Sequence, residues 1–111
     1  MTGVRPDHHA LADALRRRVL KGPGETDPEL RRAVANRAVG GPPIGAPYDD
    51  LARQIGEAAH RVTAEQVASA VRGTGSEKAA FEVIAAAALG AGLLRWRQAI
   101  KALEDAADAP A

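Results

Sequence analysis

One long apolar run near the C-terminus constrains this chain more than anything else in it. Between residues 77 and 106, Phe81, Ile84 or Ala85, Ala88 or Leu89, Trp96, Ile100 and Leu103 recur at helical spacing for about seven turns. Ser76 stands where such a helix needs an N-cap. Gly90 and Gly92 interrupt it, each at about 1 kcal/mol relative to alanine, which predicts a kink or a close crossing. The charge-free centre, 83–94, is too apolar for a solvated helix and shorter than the roughly 20 residues that span a bilayer. It is therefore expected to be buried, within the subunit or between subunits, with Phe81, Leu89, Leu93, Trp96 and Ile100 as core or interface residues.

Upstream, stop and start signals divide the chain into four shorter helices. Asp7 caps the first, where Leu11, Leu15 and Val19 recur every fourth residue and Arg16, Arg17 and Arg18 lie near the C-terminal end of the dipole. Asp27 and Pro28 open the second as N-cap and N1, with Leu30 and Val34 on one face. Asp49 and Asp50 sit in the first turn of the third, whose Leu51, Ile55, Ala58 and Val62 predict one continuous buried stripe. Thr63-Ala64-Glu65-Gln66 has the capping-box pattern and begins the fourth, closed by Gly73 and Gly75. No run alternates as a strand does and no fixed repeat appears, so the fold class is all-α: a bundle of about five helices with a long C-terminal one.

Residues 40–47, GGPPIGAP, cannot continue a helix or a central strand. They divide the chain into an expected N-terminal helical arm, 1–43, a linker ending at 44–47, a helical core, 48–107, and a frayed tail, 108–111.

Charge and composition narrow the function classes. The 15 basic and 14 acidic residues are interspersed, so no broad positive field favours nucleic acid. With no cysteine there is no disulfide, thiolate nucleophile or thiolate metal site, and no motif calls for a cofactor. Residues 1–6 lack the apolar segment of a secretory signal; a cytoplasmic protein with no membrane span is the expectation.

From Tyr48 onward the chain resembles the carboxymuconolactone decarboxylase and alkylhydroperoxidase-D-like family, in the segment HRVTAEQVASAVRGTGSEKAAFEVIAAAALGAGLLRW. The elements that carry the likeness are Val62-Thr63 opening a short helix with Glu65 and Val67, a glycine turn, and Ser76-Glu77 opening the next helix. Glu82 beside Phe81 and an alanine-rich run ending near Arg95 complete it. The resemblance covers about half the chain and leaves 1–43 without a counterpart. It implies an alkylhydroperoxidase-D-like helical subunit assembled through its long helix into trimers, or hexamers made of trimers. Peroxidase members of that family carry a Cys-x-x-Cys pair with a nearby histidine. Here there is no cysteine, so thiol peroxidase chemistry is excluded, and His60 does not keep the family histidine's spacing.

Three constellations remain. Glu57 and His60, three residues apart on one expected helix, could form an acid/base or metal-ligand pair, against the blander reading of a surface pair. Glu82 lies between Phe81 and the charge-free run; if it is buried it needs a partner such as His60 or an arginine, and it serves either chemistry or packing register. The fourth helix, its glycine turn and the fifth could imitate a helix-turn-helix, but Glu77, Lys78, Ala79, Ala80 and Phe81 are poor base readers. The reading that follows is a non-redox homo-oligomeric subunit, structural or binding a small apolar or acidic ligand. The alternatives are a small enzyme acting on an organic acid or lactone through Glu82 and His60, and a DNA-binding regulator.

Overall fold

A computed structural model describes residues 7–108. Five α-helices account for most of them: α1 His8–Lys21, α2 Pro28–Ala38, α3 Tyr48–Ala58, α4 Ala64–Thr74 and α5 Glu77–Asp108. The chain is an all-α bundle with a long C-terminal helix, as its periodicity predicts. Residue 108 is still helical, and the rest of the expected frayed tail, 109–111, lies outside the described residues.

The helix starts follow the local chemistry. The Asp7 carboxylate accepts from the Ala10 amide, Asp27 from that of Glu29 with Pro28 at the first helical position, and the Ser76 hydroxyl from that of Ala79. Thr63 and Gln66 close the capping box, each side chain accepting from the other's backbone N–H. Gly75, in the left-handed region at φ +94°, ends α4 and returns its N–H to the Val71 carbonyl.

The expected separation of arm from core does not hold. Helix α2 is the principal partner of α5, and its Val34, Ala35 and Ala38 belong to the same buried cluster as Leu51, Ala52 and Ile55 of α3, Ala70 of α4, and Ala80, Val83, Ala86, Ala87 and Ala91 of α5. The proline-rich stretch is a pinned turn. Asp49 accepts from the Ile44 amide at 2.9 Å and from Arg37 Nε at 2.8 Å, while Arg37 Nη1 reaches the Gly41 carbonyl at 3.1 Å. The Ile44 amide, then the Arg37 guanidinium, holds the Asp49 carboxyl below its ordinary range.

Helix α5 buries the opposite face from the one its large residues mark. Its buried side chains are Ala79, Ala80, Val83, Ala86, Ala87 and Ala91. Phe81, expected in a core or an interface, is 68% exposed and so is not a core residue; Leu89, Leu93, Trp96 and Ile100 are half-buried. The reason is the distance of approach. A Cβ on Gly90 would lie 2.6 Å from the Ala35 carbonyl oxygen, so α2 and α5 meet almost backbone to backbone and only small side chains fit between them. Gly90 thus makes the close crossing its position predicts.

Run 83–94 is shorter than a bilayer, but the 32-residue helix that contains it is long and apolar enough to cross one by length and composition. A third of that apolar stretch is buried against the subunit's own helices.

Candidate functional site

Glu82, the first of the sequence candidates, is engaged with the loop between α1 and α2. Its Oε1 accepts from the Thr26 hydroxyl at 2.6 Å and the Thr26 amide at 2.9 Å, and its Oε2 accepts from the Glu25 amide at 2.8 Å. Gly24 allows this closure, because a Cβ there would sit 2.7 Å from Oε1. Under the same loop lies Arg31, only 3% exposed, donating to the carbonyls of Val19 and Gly22 at 2.6 Å each and of Thr26 at 3.4 Å. Thr26 first, then the Glu25 amide, holds the Glu82 carboxyl down to about 2 from an ordinary 4.5. It is ionised at neutral pH and its oxygens are already occupied, so it cannot serve as a proton donor there. It ties the loop between α1 and α2 to α5.

Of the two expected cations, His60 is not a partner and an arginine, Arg31, acts only as the smallest influence on the carboxyl; the principal partners are a hydroxyl and two amides 56 and 57 residues away. The signal was present in the loop: a Gly-Pro-Gly stretch carries amides that no helix satisfies, and a half-buried carboxylate can.

Glu57 and His60 do not share a helix. Helix α3 ends at Ala58, which leaves the helical region at φ −159°, ψ 79°, and His60 falls in a single 3₁₀ turn, Ala59–Arg61. The predicted stripe is cut at the same point, and Val62 reaches the core from beyond the break. The Gln54 side chain donates to the Ala58 carbonyl at 3.2 Å and satisfies the interrupted end. Both Glu57 and His60 are exposed, and among the described residues neither makes an ion pair or side-chain hydrogen bond, with each other or with Glu82. No group of three or more metal-ligating side chains occurs among the described residues.

What the fold does bring together is a long apolar surface along α1 and α5. The two helices run antiparallel: His9 meets Trp96 edge to face, with ring centroids 5.5 Å apart, and Leu15 reaches the groove beside Phe81. Three shallow grooves follow one another between them. The first, about 470 Å³, has Asp7, His8, Trp96, Ile100, Leu103 and Glu104 in its walls. The next, about 240 Å³, shares His8 and Trp96 with it and adds Leu11, Leu15 and Leu93. The third, about 280 Å³, shares Leu15 and ends at Arg18, Phe81, Glu82 and Ala85. Leu11, Leu15, Phe81 and Leu103 stand 59%, 49%, 68% and 66% exposed along this track. Scattered single apolar residues need no account, but an aligned series of four does.

The start of α5, where a helix-turn-helix protein would read bases, exposes Glu77, Lys78 and Phe81. Arg72 at the end of α4 is held by Glu65 at 2.7 Å. In comparisons with known proteins, no family model, curated protein or solved structure matches the chain.

Proposed function

We propose that this protein is a non-redox, self-associating helical subunit whose working surface is the apolar face shared by α1 and α5. This is the structural or small-ligand-binding reading of the sequence, joined to the assembly through the long helix that the resemblance to the carboxymuconolactone-decarboxylase-like group implies, and a cytoplasmic setting suits it. One observation carries the reading: Leu11, Leu15, Phe81 and Leu103 lie exposed along the three successive grooves while the face that α5 buries is alanine and valine. Fully burying a large apolar side chain is worth roughly 1.5–3 kcal/mol, and a second surface laid over these four recovers the part that their remaining exposure forfeits. A catalytic role for Glu82 and His60 has no comparable support, since Glu82 is bonded to the 25–26 backbone and His60 stands alone on another element.

Light scattering coupled to size exclusion tests the reading. A dimer or larger assembly at micromolar concentration is the expected result, and a strict monomer overturns it.

A further inference from the structure

Resting on the self-association proposed above, we propose that two copies of this chain pair through antiparallel α5 helices that cross at Gly92, each filling the α1–α5 groove of the other.

Gly92 points to the crossing. It costs its helix about 1 kcal/mol relative to alanine, and a helix backbone without a Cβ can be approached closely by a neighbour. For Gly90 that neighbour is the Ala35 carbonyl within the subunit; for Gly92 a Cβ would meet nothing within 4 Å. The chain's own packing therefore accounts for one glycine and leaves the other open on the outer face.

The outer face is also arranged to match itself. Successive helical positions place Phe81, Ala85, Ala88, Gly92, Trp96, Ala99 and Leu103 along it, all exposed or half-buried. Turned end for end about Gly92, this series puts Phe81 against Leu103 of the second copy and Ala85 against its Ala99. Phe81 and Leu103 close the ends, and beside the glycine pair Trp96 of each copy faces Ala88 of the other, so a large side chain meets a small one close to the axis.

Charge selects the antiparallel direction. Arg18 lies in the groove at the Phe81 end, where Arg31 and Glu82 are both engaged by the loop; Asp7 and Glu104 lie at the Leu103 end beside His8 and His9. Among the described residues, neither Arg18 nor Glu104 makes an ion pair inside the subunit. Antiparallel pairing brings Arg18 of one copy to Asp7 and Glu104 of the other, whereas parallel pairing stacks like on like.

The area is of the right order. From Phe81 to Leu103 the helix rises about 33 Å. With α1 alongside, the face is roughly 20 Å wide, on the order of 650 Å². That approaches the roughly 800 Å² that each partner buries in a stable complex.

Because the chain has no cysteine, introduced thiols report without background. Ala85→Cys and Ala99→Cys proteins, mixed and treated with a short bis-maleimide, are expected to cross-link to each other, and neither alone to itself. Gly92→Leu, whose side chain enters open space in the subunit, is expected to keep the helical circular dichroism signal and weaken association at least tenfold. Arg18→Glu is expected to weaken association as well, and the Arg18→Glu/Glu104→Arg double variant to recover it. A dimer that cross-links 85 to 85, a dimer with no 85-to-99 cross-link, an unchanged dimer in Gly92→Leu, or no recovery in the charge swap would each overturn this pairing while leaving self-association standing. A monomeric parent chain overturns both.

Discussion

The two faces of α5 invert the usual assignment of residue sizes. Its inward face is alanine and valine, packed on α2 where Gly90 lies under the Ala35 carbonyl; its outward face carries Phe81, Trp96 and Leu103, large enough to fill a core and wholly or partly exposed. A core of small side chains buries little area per residue and depends on close backbone approach, so its stability rests on fit. The outer face has area without a partner in the subunit. One helix thus appears in two roles, as the spine of a thin core and as one wall of an open groove.

The largest expected effect separates the faces by overfilling the inner one. Gly90→Ala places a methyl 2.6 Å from the Ala35 oxygen and 3.0 Å from its Cα, so α2 must move away along its whole contact with α5. Despite alanine's better helix propensity, we expect a loss of roughly 2 kcal/mol, read as a lower urea midpoint at unchanged m-value.

A smaller effect is expected at the junction of the two faces, where Glu82 clamps the 22–27 loop. Glu82→Gln presents an amide N–H₂ to a site built from N–H and O–H donors, and should lower stability at neutral pH by on the order of 1.5 kcal/mol. The pH profile identifies the cause. Because the folded-state value, about 2, lies below the ordinary 4.5, the carboxylate's contribution is fully present above about pH 4.5. It fades as the pH falls toward 2. Thermal melts of the parent should show that acid limb, and those of Glu82→Gln a shallower one; equal slopes would remove the clamp from the account.

These contrasts also show how far the sequence could be read. Helix number, caps and starts were legible because they depend on local chemistry: Asp7, Asp27, Thr63 and Ser76 all cap as their positions predict. The buried side of α5 was not, since large apolar residues mark a helix face without saying whether the subunit or a partner covers it. Only the approach of α2, a long-range fact, reverses the assignment. The same limit explains the arm, whose Val34, Ala35 and Ala38 meet α3 and α5 only once the chain has turned back at 40–47, where the Arg37–Asp49 pair pins the turn. It also explains Glu82, whose partners lie more than 50 residues away. Glu57 and His60 failed for a local reason, a helix break at Ala58 that no proline or glycine at that position announces.

The smallest expected effect is also the sharpest comparison, because it sets Gly92 against Gly90 two residues away on the same helix. Gly92→Ala adds a methyl that meets no atom of the subunit within 4 Å, so the isolated subunit should gain up to about 1 kcal/mol from helix propensity and reduced freedom of the unfolded chain. Melting temperature measured across a range of protein concentrations separates this gain from any change in assembly, because only an associating species shifts its midpoint with concentration. At the dilute limit Gly92→Ala should melt above the parent and Gly90→Ala below it. At high concentration the advantage of Gly92→Ala should shrink if the added methyl holds two α5 helices apart. An advantage that stays constant at every concentration would mean that Gly92 faces only solvent, and the outer face would lose the one backbone feature that sets it apart from an incidental apolar surface.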